Sequence, residues 1–155
     1  MKPVKKFLVM ILAATLLTPC ITAMAAGVYG AEMANLGENS ASADGGAWYR
    51  QPYGFFSIDD VDLSGVRSVK ITAKNNMTSG NDGERVILRL DSEKGEVIGY
   101  VNIDRHCPDN EEVFSGALTK SVSGTHTVYF QSSIANNNYR AMTIYKVEFS
   151  KSVYK

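Results

Sequence analysis

The sequence predicts an all-β protein, an antiparallel β-sandwich, and three observations predict it. Beyond residue 27, apolar and polar residues alternate with period two, the pattern of strands buried on one face. Gly, Asn, Asp and Ser clusters interrupt that pattern about every ten residues, as the turns of a sandwich do. No stretch of this region carries an apolar face at helical spacing, so the strand–helix alternation of a parallel α/β sheet is excluded.

The elements follow in order. Val69, Ile71 and Ala73 alternate with Lys70, Thr72 and Lys74 in one strand. Val86, Leu88 and Leu90 share a face of the next, with Ile87 and Arg89 on the other. Asp91-Ser92-Glu93-Lys94-Gly95 reads as a hairpin turn with Gly95 in the left-handed conformation, and Val97 to Ile103 returns from it. Ser123-Gly124 turns into a strand from Thr125 to Gln131, and Met142 to Phe149 is the last strand. Val69, Ile71, Leu88, Leu90 and Val128 are therefore assigned to the core. The Ser-, Ala-, Gly- and Asn-rich stretch from Gly37 to Gly46 reads as a loop. There is no internal repeat, and one domain accounts for the pattern.

Residues 1–25 read as a secretory signal peptide and 26–155 as the folded module. Lys2, Lys5 and Lys6 form a basic start, Phe7 to Leu17 an apolar run, and Ala23-Met24-Ala25 a cleavage site of small residues. The run falls short of the ~20 apolar residues of a spanning helix. Pro19 before Cys20 fits a lipoprotein signal poorly. The expected location is extracellular, with no membrane association after cleavage.

Charge and cysteine content narrow the function. The whole chain has 16 basic and 16 acidic residues. The signal holds three lysines and no acid, so its removal leaves 13 basic against 16 acidic, a net charge of −3. No basic field exists to recruit nucleic acid or anionic lipid. Once Cys20 leaves, Cys107 has no internal partner: it is either a buried thiol or a handle for another molecule. His106 adjoins it, but neighbours on an extended chain face opposite ways, which argues against a catalytic pair.

Enzyme signatures are missing. The chain has no Gly-x-Ser-x-Gly elbow, no phosphate-binding Gly-rich loop and no His-Glu-x-x-His. Two histidines cannot build a three-histidine zinc site. Asp60-Val61-Asp62-Leu63-Ser64-Gly65 copies the first half of a calcium-binding EF-hand loop, yet Ile71 stands where the bidentate Glu belongs. It reads as a polar turn before a strand. The expectation is a protein that is not an enzyme.

Several segments, in order, carry a further likeness: Val28-Tyr29-Gly30-Ala31-Glu32; Ala47-Trp48-Tyr49; Gly54-Phe55-Phe56-Ser57-Ile58; Val61-Asp62-Leu63-Ser64-Gly65-Val66; Ile87-Leu88-Arg89-Leu90-Asp91-Ser92 with Ile98-Gly99-Tyr100-Val101; and Ser123-Gly124-Thr125-His126-Thr127-Val128-Tyr129. From Val28 to Phe149 the chain resembles carbohydrate-binding module family 6, jelly rolls appended to secreted polysaccharide-degrading enzymes. The resemblance implies a monomeric, non-catalytic module that binds a polysaccharide of the xylan, β-glucan or cellulose class in a cleft of end loops. The alternative is an extracellular jelly-roll interaction domain that has lost sugar binding.

The resemblance also implies site residues. Family members sandwich a sugar between two aromatics and fix its hydroxyls with an Asn near the last strand. Tyr49 falls on the first aromatic. The second, usually Trp, has no counterpart in Asp104 to Asn110, where His106 either stacks on the sugar in its place or is a solvated loop residue. Trp48 is either a sugar contact or a core residue facing away from Tyr49. The Asn position is taken by Thr143, for which Asn136, Asn137 or Asn138 could substitute. His126 is expected to be structural. No cofactor is required, but the family's structural calcium between first strand and chain end would use Glu32, with Gly30 and Tyr145 standing where other donors usually lie.

Overall fold

The computed structural model describes residues 25–37, 40–43, 45–49, 54–76, 85–133 and 142–153, with the backbone alone described at 25, 26, 41, 43, 48 and 49. Residues 1–24 of the expected signal segment and Asn136, Asn137 and Asn138 lie outside the described residues, whereas Ala25 opens the first strand. Among those described, the strands are β1 (Ala25–Gly30), β2 (Asn35–Leu36), β3 (Ser40–Ala43), β4 (Gly46–Tyr49), β5 (Phe55–Asp62), β6 (Ser68–Asn75), β7 (Arg85–Leu90), β8 (Val97–Asn102), β9 (Cys107–Ala117), β10 (Thr125–Ser132) and β11 (Met142–Ser150). A single 3₁₀ turn, Ala31–Met33, is the helical element among them.

The strands form two antiparallel sheets. One runs β3-β4-β11-β6-β9, with β1 also pairing with β11, and the other runs β2-β5-β10-β7-β8. Between them lies the core, centred on Phe56, Phe130 and Phe149. The Phe56 and Phe130 rings stack at 4.9 Å with 9° between planes, and Phe149 meets Phe130 at 6.3 Å. Val69, Ile71, Leu88 and Val128 are fully buried, as alternation requires. Leu90 packs against the core but is only partly buried, because β7 ends there and the chain leaves into the hairpin.

Three local readings are corrected. In the Asp91–Gly95 hairpin, the left-handed residue is Asp91 (φ 59°), whereas Gly95 is required for space, since a Cβ there would strike the carbonyl of Leu90. The stretch 37–46 is not all loop, because Ser40–Ala43 pairs with Gly46–Tyr49. Between the two strands Gly45 adopts φ 75°, a conformation that glycine supplies. Residues 107–110 are the start of edge strand β9 and not a loop.

Short connections fix where function can sit. β4, β6, β8 and β10 run toward one end of the sandwich, and β5, β7, β9 and β11 leave from it. The 103–106 connection therefore shares that end with residues 49, 54, 76, 85, 133 and 142. The Asp62–Arg67 turn, the Asp91–Glu96 hairpin and the 118–124 segment share the other.

Candidate functional site

Among the described residues, Tyr49, Trp48, Thr143 and His106 stand at or near the end of the sandwich that carries the 103–106 connection. Tyr49 is the last residue of β4, where the sheet gives way to the 50–54 connection, and its backbone pairs with Ser40. Trp48 is in register with Thr143 of β11, which is in turn in register with Lys74 of β6. The buried core row beside it is Ala47, Ile144 and Ala73. The Trp48 backbone therefore lies in the row away from the core. The side chains of Tyr49 and Trp48 lie outside the described residues. Thr143 is 3% exposed and packs so close to Gly46 that a Cβ there would strike its methyl group. A hydroxyl at that depth offers no surface to a sugar.

His106 is exposed in the 103–106 connection, so it stands at the correct end. That connection is pinned from below by residues the sequence did not single out. The side-chain amide of Asn75, at the end of β6, donates to the Arg105 carbonyl at 2.8 Å. The Arg105 guanidinium meets Glu112 at 2.8 Å and lies 5.2 Å from the Phe114 ring centroid. Cys107 is buried at 5% exposure, with its sulfur accepting from the Asn75 backbone N–H. Burial pushes its thiol pKa up, so it is a packed apolar group and not a nucleophile.

A second surface is the solvent side of the β2-β5-β10-β7-β8 sheet. Register there brings Phe55, Gln131, Ile87 and Tyr100 into one row from four strands. The adjacent row is Asn35, Ser57, Tyr129 and Arg89. Phe55 and Tyr129 rings pack at 5.8 Å with 41° between planes. The Arg89 Nε donates to the Gln131 side-chain oxygen at 3.0 Å, and its Nη1 donates to the Gly95 carbonyl at 3.0 Å. The Arg85 guanidinium lies 5.1 Å from the Tyr100 ring centroid. Half-buried rings flanked by fixed hydrogen-bonding groups suit a sugar, whose C–H faces pack on π surfaces while its hydroxyls need polar partners.

One edge of this surface is built by a bulge, where Asp59 and Asp60 of β5 oppose Thr127 of β10 and Asp60 adopts φ 56°. Asp59 accepts from the Asn35 amide and the Thr127 hydroxyl, each at 2.8 Å. Beside it, His126 is held between the Asp91 carboxylate at 3.0 Å and the Ser123 carbonyl at 3.1 Å. Those acceptors, the Ser123 carbonyl first and Asp91 next, raise its pKa. Its role is structural, as expected, tying β10 to the β7–β8 hairpin. In the Asp60–Gly65 segment, hydrogen bonds from the Ser64 hydroxyl and backbone N–H lower the pKa of Asp62, the mark of a polar turn.

The residues at the expected calcium position do not fit that ion. Glu32 is exposed, and its carboxylate lies over Gly30, which has no donor side chain. Gly30 pairs with Lys146, and the Lys74 ammonium sits 5.8 Å from the Tyr145 ring centroid. Among Glu32, Gly30 and Tyr145 only Glu32 brings a carboxylate, which falls short of the six to eight oxygens calcium takes. Among the described residues no three His, Cys, Asp or Glu side chains come together. A depression of about 290 Å³ at the opposite end, between Arg67, Leu118, Lys120 and Val153, has no aromatic lining and offers nothing to stack on.

No protein-family model and no curated protein matches the chain. Solved structures do. A family 6 carbohydrate-binding module from Clostridium cellulolyticum, in complex with xylose, superposes with a TM-score of 0.65 at 20% identity, over 80% of this chain and 96% of that one. A β-1,3-glucan-binding family 6 module from Bacillus halodurans does so with a TM-score of 0.60 at 17% identity, over 79% and 94%. An arabinoxylan arabinofuranohydrolase of glycoside hydrolase family 43 from Bacillus subtilis gives 0.60 at 16%, over 79% of this chain but 26% of the enzyme. The fold is the β-sandwich these carbohydrate-binding modules share.

Proposed function

We propose that this chain is an exported, non-catalytic carbohydrate-binding module for a polysaccharide of the xylan, β-glucan or cellulose class. The observation that carries the reading is the solvent side of the second sheet, where Phe55, Tyr129 and Tyr100 alternate with Gln131, Arg89 and Asn35 in fixed register. A sugar chain lying across β5, β10, β7 and β8 meets rings and hydrogen-bonding groups in turn. The end of the sandwich bearing Tyr49 and His106 is the other place where a glycan can dock, and the two surfaces are separable by mutation. The likeness in fold to family 6 modules supports the class of ligand, as does the match to only 26% of a hydrolase chain.

Affinity electrophoresis against xylan, mixed-linkage β-glucan and a soluble cellulose derivative tests it, with wild type, Tyr129→Ala and Tyr49→Ala run side by side. The expected result is retardation of wild type and about tenfold weaker binding by Tyr129→Ala, the scale of one aromatic contact. Loss confined to Tyr49→Ala would move the site to the end loops. No retardation in any gel would favour an interaction domain that has lost sugar binding. Export predicts that intact mass of the mature protein begins at residue 26, and a species retaining Met1 would refute it.

A further inference from the structure

Among the described residues, two cations on the proposed sugar surface have no anionic partner. Arg85 and Arg89 lie on the same side of β7, four residues or about 13 Å apart. Arg89 is held by two neutral acceptors, the Gln131 side chain and the Gly95 carbonyl, which fix the plane of its guanidinium without neutralising it. Arg85 rests on the Tyr100 ring. The carboxylates bordering the surface are engaged elsewhere: Asp59 with Asn35 and Thr127, Asp91 with His126 and the Thr127 N–H. Other cations of the chain do find carboxylates, as Lys146 does with Glu148 and Arg105 with Glu112.

Resting on the reading of this surface as a glycan site, we propose that it selects a carboxylate-bearing glycan, with a uronic acid carboxylate received by Arg89 and a second one, or a ring hydroxyl, by Arg85. A guanidinium whose plane is already fixed presents two parallel N–H groups that match a carboxylate and lose little freedom on binding. The module's net charge of −3 repels polyanions in general. Attraction therefore has to be local, and directional at these two side chains.

The test compares polygalacturonate, alginate and glucuronoxylan, each with its own carboxyl-reduced form, by isothermal titration calorimetry on wild type, Arg89→Gln and Arg85→Gln. At least one acidic glycan should bind wild type about tenfold or more tightly than its reduced form. Arg89→Gln should abolish that preference, so that the variant binds the acidic and the reduced form equally, and Arg85→Gln should lessen it. Should Arg89→Gln fail to fold, Arg85→Gln alone carries the comparison. Equal binding of acidic and reduced forms in every pair, or a preference that survives both substitutions, overturns the inference and leaves the general glycan reading standing. Equally tight binding of dextran sulfate overturns it too, since undirected charge would then suffice. Absence of binding to any acidic or neutral glycan overturns both readings.

Discussion

Phe130 and Tyr129 are neighbours on β10 that face opposite ways, and replacing each with alanine separates the core from the proposed site. Phe130 is fully buried, stacked on Phe56 at 4.9 Å and in contact with Phe149 at 6.3 Å. Deleting a buried phenylalanine ring costs about 3–5 kcal/mol, part transfer and part residual cavity. The upper half of that range is expected here. β10 is hydrogen-bonded on both sides, to β5 and β7, so the strand cannot shift inward to fill the space. A domain of this kind holds about 5–15 kcal/mol in all, so Phe130→Ala should remove a large share of it.

Tyr129→Ala removes a half-buried ring and its contact with Phe55. An aromatic pair of this kind contributes about 0.5–1.5 kcal/mol. The variant should therefore remain folded and lose about tenfold in glycan affinity. Urea unfolding, followed by the fluorescence of the single tryptophan, measures the stability term; the midpoint should fall with an unchanged slope. A loss below about 1.5 kcal/mol for Phe130→Ala, or an equal loss for both variants, would refute the assignment of the two faces.

Two further outcomes follow from charge. The folded-state pKa of His126 is raised, so its tie to Asp91 stabilises fully below the unfolded value of about 6.5 and is lost as pH rises through the folded value. His126→Gln should destabilise the protein at pH 5.5 by about 1 kcal/mol or less, the limit for a pair as exposed as Asp91. It should approach neutrality at pH 8.5, and a penalty that grows with pH would contradict the geometry. Because Glu32 brings the one carboxylate among the three residues at the expected calcium position, adding millimolar calcium or EDTA should leave Tm unchanged. A calcium-dependent rise of several degrees would show a donor set assembled from residues other than Glu32, Gly30 and Tyr145.

The fold was legible in the sequence because period two is enforced by burial. Val69, Ile71 and Ala73 could not alternate with Lys70, Thr72 and Lys74 in any other half-buried structure, and all three are fully buried. Strand β3 was hidden because Ser40, Ala41, Ser42 and Ala43 carry no apolar contrast, and it pairs through backbone bonds to β4 alone. The start of β9 was hidden for a related reason. Pro108, Asp109, Asn110 and Glu111 are the polar residues an exposed edge strand tolerates, and they look like loop. The hairpin glycine was misread because composition marks a glycine without saying whether it is needed for φ or for space, and at Gly95 it is space.

The proposed surface was illegible for a different physical reason. Phe55, Gln131, Ile87 and Tyr100 each appear in sequence as the solvent-side residue of an amphipathic strand, which carries no ligand signal. Only strand register, fixed by hydrogen bonds between segments far apart in sequence, turns them into one row. A slip of one residue between β10 and β7 would replace Gln131 beside Ile87 with Phe130 or Ser132 and dissolve the row. The register is held from the other face, where Phe130 pairs with both Phe56 and Leu88 in the core. The binding surface is thus specified by residues that never touch a ligand. It follows that Phe130→Leu, which retains much of the apolar volume, should preserve glycan binding even where it lowers stability. Loss of binding by a Phe130→Leu protein that is still fully folded would mean that the row depends on more than the register of β10.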